Sequence, residues 1–383
     1  MHYQRILNLP NLLKNKSFFL FGPRSTGKTS LIKAQFPSNV PVIDLLDNNL
    51  YIRLIENPVM LESLVVADNP NTTCAIIDEV QRIPDILNEV HRLIEKKNFS
   101  FLLTGSSARK LRRNQANLLG GRARQAELFP LTSFEIPDFN LERYLEFGGL
   151  PVVYQSDEPR EDLFAYVGVY LKEEIQAEAV VRELPPFVRF LKYSALTSGD
   201  ILNFSNISND AAVPVHIVRE YYQILEDTFI GFMVPAWTKT VKRKPTSRSK
   251  FYYFDIGVKN ILTDVQHIPQ QSDLFGKTFE HFIALELRAY LSYRRKHVTL
   301  SYWQAKNGQE VDFIIGNDIA IEVKATNYAH EKHLKGLQAL IEEKICSQYI
   351  LVSQDPVKRR VDQIEIIFWK DFLAKLWNDE IIN

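Results

Sequence analysis

The chain has 383 residues, with 46 Lys+Arg against 46 Asp+Glu, 45% hydrophobic and 24% charged side chains. That length exceeds a typical domain of roughly 100–200 residues and predicts two or three cores, while the ordinary globular composition excludes disorder, collagen-like repeats and an extended coiled coil. A net charge of zero excludes a bulk pull toward polyanions, and two cysteines without a CxxC exclude a disulfide framework and a cysteine zinc site.

A reducing, cytoplasmic setting without membrane contact is expected. No apolar run approaches the ~18 residues needed to span a bilayer, and the segment MHYQRILNLPNLLKNK is broken by charge and by Pro10. Residues 17–21 (SFFLF), 41–46 (PVIDLL), 74–78 (CAIID) and 99–104 (FSFLLT) are short apolar runs that read as buried parallel strands. Segments between them, such as 84–97, have helical spacing. This alternation predicts an α/β domain with a parallel sheet. Pro130, Pro137, Gly148, Gly149 and Pro151 then mark a boundary. SALTSGDILNF, NISNDAAV and PVHIVREYYQILED read as three helices, the third opened by Pro214. FIGFMVPAW and FYYFDIG read as strands flanking TKTVKRKPTSRSK, which together give the outline of a winged helix-turn-helix. Last come a long helix (LFGKTFEHFIALELRAYLSY), strands near 298–303, 311–315 and 319–324, a helix over 331–343 and a strand at 348–352, forming a second α/β core. The predicted division is 1–150, 151–262 and 263–383.

Gly22-Pro23-Arg24-Ser25-Thr26-Gly27-Lys28-Thr29, followed by Ser30, fits the Walker A pattern between a strand and a helix. Backbone N–H groups of such a loop wrap phosphates, Lys28 reaches the β- and γ-phosphates, and Thr29 ligates Mg²⁺. ATP and Mg²⁺ are therefore expected. Asp78 and Glu79 end an apolar strand, placing Asp78 on the metal's water shell and Glu79 against an attacking water. Ser106, at the end of the next strand, is the expected γ-phosphate sensor. Arginines 109, 112, 113, 122 and 124 supply a candidate arginine finger, acting in cis or from a neighbouring copy in a homo-oligomer, with Arg122 preferred.

From Walker A through DEVQRIP, LLTGSS, GGRARQAELFPLTSFE and YLEFGGLP, the chain resembles prokaryotic AAA-type ATPases that carry a C-terminal domain of the PD-(D/E)XK nuclease class. The resemblance covers nearly the whole chain. It includes FYYFDIGV, which stands near where such proteins show an Asp-x-Gly-Leu element and here ends in Val258. It implies an N-terminal AAA-type P-loop domain, a winged-helix-like middle and a restriction-endonuclease-like α/β end.

In that last part Glu280 lies within a helix, Asp312 on a strand, and Glu322 and Lys324 two apart on the next strand, so the last pair shares a face. From the residues alone this is a plausible oxygen-ligand site for Mg²⁺ or Mn²⁺ or a surface salt bridge. The resemblance makes Asp312-(x9)-Glu322-Val323-Lys324 after a helical Glu280 the core signature of the nuclease class. Asp312, Glu322 and Glu280 would then serve the metal, and Lys324 would orient water. Gln338 follows as a minor candidate. Inactive forms of the domain also exist, leaving a nucleotide-switched DNA- or protein-binding regulator as the alternative. His330, His333 and His281 read as surface or packing residues.

Lys239, Lys242, Arg243, Lys244, Arg248 and Lys250 fall in a stretch without an acid, so a weakly sequence-specific DNA contact on the wing is expected. Net neutrality does not oppose it. Residues 151–200 carry nine acidic against five basic side chains, and 201–250 carry seven basic against four acidic.

Overall fold

The computed structural model describes residues 3–66, 72–97, 99–109, 111, 119–170 and 184–382. A short helix α1 (Leu9–Leu13) precedes strand β1 (Ser17–Phe21) and helix α2 (Lys28–Gln35). Then come β2 (Val42–Asp44), α3 (Asn48–Glu56), α4 (Met60–Val66), β3 (Cys74–Asp78), α5 (Ile86–Lys97), β4 (Ser100–Gly105) and β5 (Ala123–Glu127). These strands form one sheet in the order β2-β3-β4-β1-β5, all parallel. The apolar runs of β1, β3 and β4 are buried on both faces, as a parallel sheet covered by helices requires. Because β4 lies between β1 and β3, its C-terminal end is set between the phosphate loop and Asp78-Glu79.

Helices α6 (Leu141–Phe147), α7 (Pro151–Gln155) and α8 (Pro159–Ala165) lead toward α9 (Leu184–Leu196), α10 (Phe204–Ala211) and α11 (Val215–Asp227). The segment SALTSGDILNF is not a helix: α9 ends at Leu196, Gly199 takes φ +86°, and Asn203 caps α10 by accepting from Asn206 N at 3.3 Å. The other two predicted helices are present, the third opening just after Pro214. An antiparallel ribbon of β6 (Gly231–Val234) and β7 (Lys250–Tyr253) follows, then α12 (Ile256–Leu262).

The C-terminal part begins with α13 (Asp273–Tyr293), capped by Ser272. It continues through β8 (Leu300–Gln304), β9 (Glu310–Ile315), β10 (Ile319–Lys324), α14 (Lys335–Ile341), β11 (Gln348–Ser353), β12 (Arg359–Val361), β13 (Ile364–Phe368) and α15 (Trp369–Trp377). The sheet order is β12-β13-β11-β10-β9-β8, antiparallel from β8 to β10 and parallel across β10, β11 and β13. Helices α13 and α15 bury one face and α14 the other.

Shared packing and a covered strand edge help tie the parts together. One hydrophobic cluster runs from Phe18, Leu31 and Leu128 to Phe279, Ile283 and Trp377, so the P-loop part and the C-terminal part share one packing layer beside cores of their own. The connection between β6 and β7 lies along the edge strand β8. Ala236 bridges Tyr302 and Pro245 bridges Ala305, which covers an edge that would otherwise expose unpaired backbone groups.

Candidate functional site

The phosphate loop follows β1 and delivers its residues to the C-terminal edge of the parallel sheet, where such sheets bind ligands. Gly27 takes φ +92° as it enters α2, and a Cβ at Gly22, where φ is +151°, would stand 2.4 Å from Leu128 O. Both positions therefore need glycine. Thr26 is buried and donates to Pro23 O at 2.9 Å, which braces the loop from within. Lys28 Nζ donates to Gly22 O at 2.7 Å and Pro23 O at 3.0 Å, across the loop mouth.

Parallel register brings the second acidic pair alongside. Thr29 Oγ1 donates to Asp78 Oδ2 at 3.0 Å, and Thr104 Oγ1 donates to Asp78 Oδ1 while accepting from Glu79 N at 3.3 Å. Glu79 sits at φ +59°, which turns its side chain out of the strand direction. Its carboxylate accepts from Gln81 Nε2 and lies 3.5 Å from Ser106 Oγ. Burial pushes the Glu79 carboxyl up; nearby Lys28 pulls it down, and Asp78 adds to the rise. A cavity of about 520 Å³ opens over this group, walled at one end by Arg24, Lys28, Thr29 and Glu79 and at the other by Tyr3, Leu131, Pro151, Val152 and Gln155.

Mg²⁺ fits here. It is held through one or two carboxylates together with waters and phosphate oxygens, and the Thr29 hydroxyl and Asp78 carboxylate already face each other. Among the described residues no three His, Cys, Asp or Glu side chains gather closely enough to hold an ion by themselves.

Arg122 does not belong to this site in cis. Ser17 pairs with Ala123, so Arg122 stands at the opposite end of the sheet, where it pairs with Glu95. Arg109 is buried and turned to α11, near Asp227 at 3.6 Å and Glu220 at 3.9 Å. Arg112 and Arg113 lie outside the described residues.

The C-terminal constellation does converge. The register pairing Ile321 with Phe313 sets Glu322 opposite Asp312 one step on, and Lys324 Nζ lies 2.6 Å from Glu322 Oε1 and 3.7 Å from Asp312 Oδ2. Asp312 Oδ2 also accepts from Val323 N at 2.8 Å. Burial raises both carboxyls, Glu322 well above the usual range, with Glu280 adding to Asp312 and Asp312 adding to Glu322. Burial alone would lower Lys324, but the Asp312 and Glu322 carboxylates outweigh it and hold the ammonium above its usual range.

Glu280 faces a different cation. Its Oε1 accepts from Tyr252 OH at 2.6 Å and from Lys250 Nζ at 3.2 Å, and Lys250 Nζ lies 2.6 Å from Glu310 Oε1. A divalent ion does not fit this arrangement as built, because two ammonium groups stand among the carboxylates that would have to share it. Glu322 Oε2 is buried without a hydrogen-bond partner. Gln338 is exposed on α14, and His330 and His333 are surface residues at its approach. His281 is a packing histidine. Its ring bonds Tyr253 O at 2.7 Å, and burial lowers it to about 3.

The basic stretch divides in two. Lys239, Lys242, Lys244 and Arg248 are exposed. Arg243 is engaged by Gln309 at 2.9 Å, Ala339 O at 3.0 Å and Glu342 at 2.6 Å, and Lys250 is buried in the acidic cluster. The expectation that all six face DNA is corrected for Lys250, which has no surface to offer a phosphate.

Family models cover the chain in succession. An AAA domain matches residues 14–136. Residues 14–136 form an AAA-type P-loop domain. Domains of unknown function match 138–268 (DUF8612) and 275–372 (DUF4143). An uncharacterized protein of Methanocaldococcus jannaschii is 25% identical over 373 residues, covering 85% of this chain and 80% of its own length. Another from Haemophilus influenzae is 23% identical over 320 residues, covering 78% and 77%. The Aeropyrum pernix ORC1 protein, solved in complex with DNA, matches at 15% identity over 65% of this chain and 86% of its own, with a TM-score of 0.24. Among the described residues no helix is long and apolar enough to cross a membrane.

Two residues of the AAA-type domain's cleft escape sequence reading. Gln81 holds Glu79, and its position three residues beyond Asp78, on a 3₁₀ turn, is the local signal for it. Arg5 donates to Thr26 O at 2.8 Å, Phe129 O at 2.6 Å and Glu135 Oε1 at 2.9 Å, partners 21, 124 and 130 positions away that no local pattern connects.

Proposed function

We propose that the chain binds and hydrolyses ATP in the AAA-type cleft and uses the nucleotide state to control contacts made by its middle and C-terminal parts with DNA or a protein partner. The observation carrying this reading is the meeting of Thr29 and Asp78 at 3.0 Å with Glu79 poised beside Ser106, on the floor of a cavity of about 520 Å³. Phosphate oxygens would take over the two carbonyl bonds of Lys28. Tyr3, Pro151 and Val152 offer flat and apolar contacts to a base, with the Gln155 amide for its edge. Thr29 and Asp78 would hold Mg²⁺, which supplies charge neutralisation at the phosphates. Glu79 Oε takes the proton of the attacking water. Gln81 and Ser106 fix the direction of that carboxylate, and burial keeps its basicity above that of an exposed glutamate.

We assign the C-terminal part the role of a platform, with Lys239, Lys242, Lys244 and Arg248 of the β6–β7 connection, which lies along its edge strand, forming the exposed basic face toward DNA. The experiment is ATP turnover and binding in the full chain. Lys28→Ala should abolish nucleotide binding, and Glu79→Gln should retain binding while turnover drops by about 100-fold or more. Wild-type turnover in both variants would remove the assignment. Incubating supercoiled DNA with Mg²⁺ or Mn²⁺ separates platform from phosphodiesterase: the DNA should stay intact, and cleavage lost in Asp312→Ala would reinstate the nuclease.

A further inference from the structure

Lys250, the last residue of the basic stretch, points inward. It is 3% exposed at the start of β7, with its ammonium 5.2 Å from the Tyr302 ring centroid, 2.6 Å from Glu310 and 3.2 Å from Glu280. Lys324 serves the other two acids at 2.6 Å and 3.7 Å. Every carboxylate of the cluster thus has an ammonium neighbour. A divalent ion relieves repulsion among clustered carboxylates by lying between them; Lys250 does the same from a covalent tether.

The tether is held in place. Trp237 N donates to Tyr302 O at 2.6 Å, Tyr302 N to Pro235 O at 3.0 Å, and Thr246 N to Gln304 O at 2.9 Å, so the connection between β6 and β7 runs along β8 on both sides of its basic tip. Val241 N and Lys242 N both donate to Glu343 Oε2, at 2.8 and 2.9 Å. The Lys250 backbone is thus carried on a ribbon pinned along that edge, from which its ammonium reaches the cluster. Burial alone would lower the Lys250 ammonium, yet Glu280, with Tyr252, Asp312 and Glu310, holds it well above its usual range, so it stays charged.

We propose that Lys250 is a built-in counter-cation that fills the acidic cleft of the C-terminal part, excludes divalent metal from it, and latches the ribbon of residues 231–253 onto the C-terminal sheet. The inference is independent of ATP hydrolysis, and its test uses nucleotide-free protein.

Mn²⁺ binding is followed by the electron paramagnetic resonance signal of the free ion, in the full chain carrying Asp78→Asn so that the carboxylate facing Thr29 contributes nothing. The parent should take up no Mn²⁺ that depends on Asp312. Adding Lys250→Met should create one site, at least tenfold tighter than any uptake by the parent and lost again with Asp312→Asn, whereas Lys250→Arg should gain none. Stoichiometric Mn²⁺ in the parent that disappears with Asp312→Asn would overturn the proposal. So would a Lys250→Met chain with native far-ultraviolet circular dichroism that gains no site. If Lys250→Met does not fold, the parent titration and Lys250→Arg decide alone, since Mn²⁺ bound at Asp312 in either one contradicts exclusion by the ammonium.

Discussion

Replacing Arg5, on the wall of the nucleotide cleft, by alanine should be among the most damaging single changes to stability. Its guanidinium and the Glu135 carboxylate form an ion pair of 2.9 Å with side-chain exposures of 5% and 0%. Alanine would leave Glu135 with only the Ile6 and Thr132 N–H donors, at 2.9 and 3.1 Å, and would remove the donors to Thr26 O, Phe129 O and Tyr293 Oη. Breaking a buried pair from one side typically costs about 3–5 kcal/mol, because the stranded charge has lost both its water and its partner. For a domain of this size that is a fall on the order of 10 °C in the first thermal transition. Calorimetry of the full chain should read that first transition, since several parts of the protein can unfold separately. The paired neutral replacement Arg5→Met with Glu135→Gln should cost less than Arg5→Ala alone, because no charge is stranded. A shift below about 2 °C for Arg5→Ala, or a double variant equal to the sum of its singles, would refute the ion-pair argument.

Asp255 is fully buried and accepts from Gly149 N at 2.8 Å and Val258 N at 3.1 Å, joining the FGGLP turn to the first turn of α12. Asp255→Ala should lower stability by about 2–4 kcal/mol, read as the urea midpoint, with Asp255→Asn losing less because one acceptor remains. Lys259, on α12, is lowered to about 8, chiefly by burial and further by Lys277. Its unfolded-state value is about 10.4, so the unfolded chain binds more protons between these values and stability should rise as pH climbs from 8 toward 10.5. The burial cost is therefore fully present at pH 7. Lys259→Met should stabilise the chain there by up to about 3 kcal/mol, an advantage that fades by pH 10.5; thermal melts at pH 7 and pH 10 showing the same difference would contradict it.

The features legible in the sequence are those built from neighbouring residues. The phosphate loop is a strand, a turn and a helix start in one short segment, and the meeting of Asp312 with Glu322 follows from a short hairpin whose alternation fixes its register. Strand β5 is hidden because ARQAE lacks an apolar run; it is an edge strand that buries Ala126 and leaves its arginine and glutamine outward. The misplaced helix has a similar cause. Pro185 and Pro186 stand in the first turn of α9, where proline is tolerated, while the apolar residues after them extend the pattern past the true end at Leu196. Lys250 was legible only as a charge. Whether a lysine meets a phosphate or a carboxylate depends on partners 30 and 60 positions away, and no local spacing encodes that.

The same long-range contacts give the two acidic clusters a continuous packed connection. Ser106, against Glu79, is three residues from Arg109, whose guanidinium lies 3.6 Å from Asp227 at the end of α11, and Ala108 N donates to Asp227 O at 3.2 Å. Helix α11 turns directly into β6, β6 pairs with β7 through Val234 and Lys250, and Lys250 enters the C-terminal cluster. Ser106, Arg109 and Lys250 are buried, so a displacement at one is taken up by its neighbours and not by solvent. On the other side of the cleft, Arg5 holds Thr26 O of the phosphate loop and bonds Tyr293 Oη at the end of α13, the helix that carries Glu280. The lysine and its glutamate partner are therefore each joined to the nucleotide cleft by a separate route.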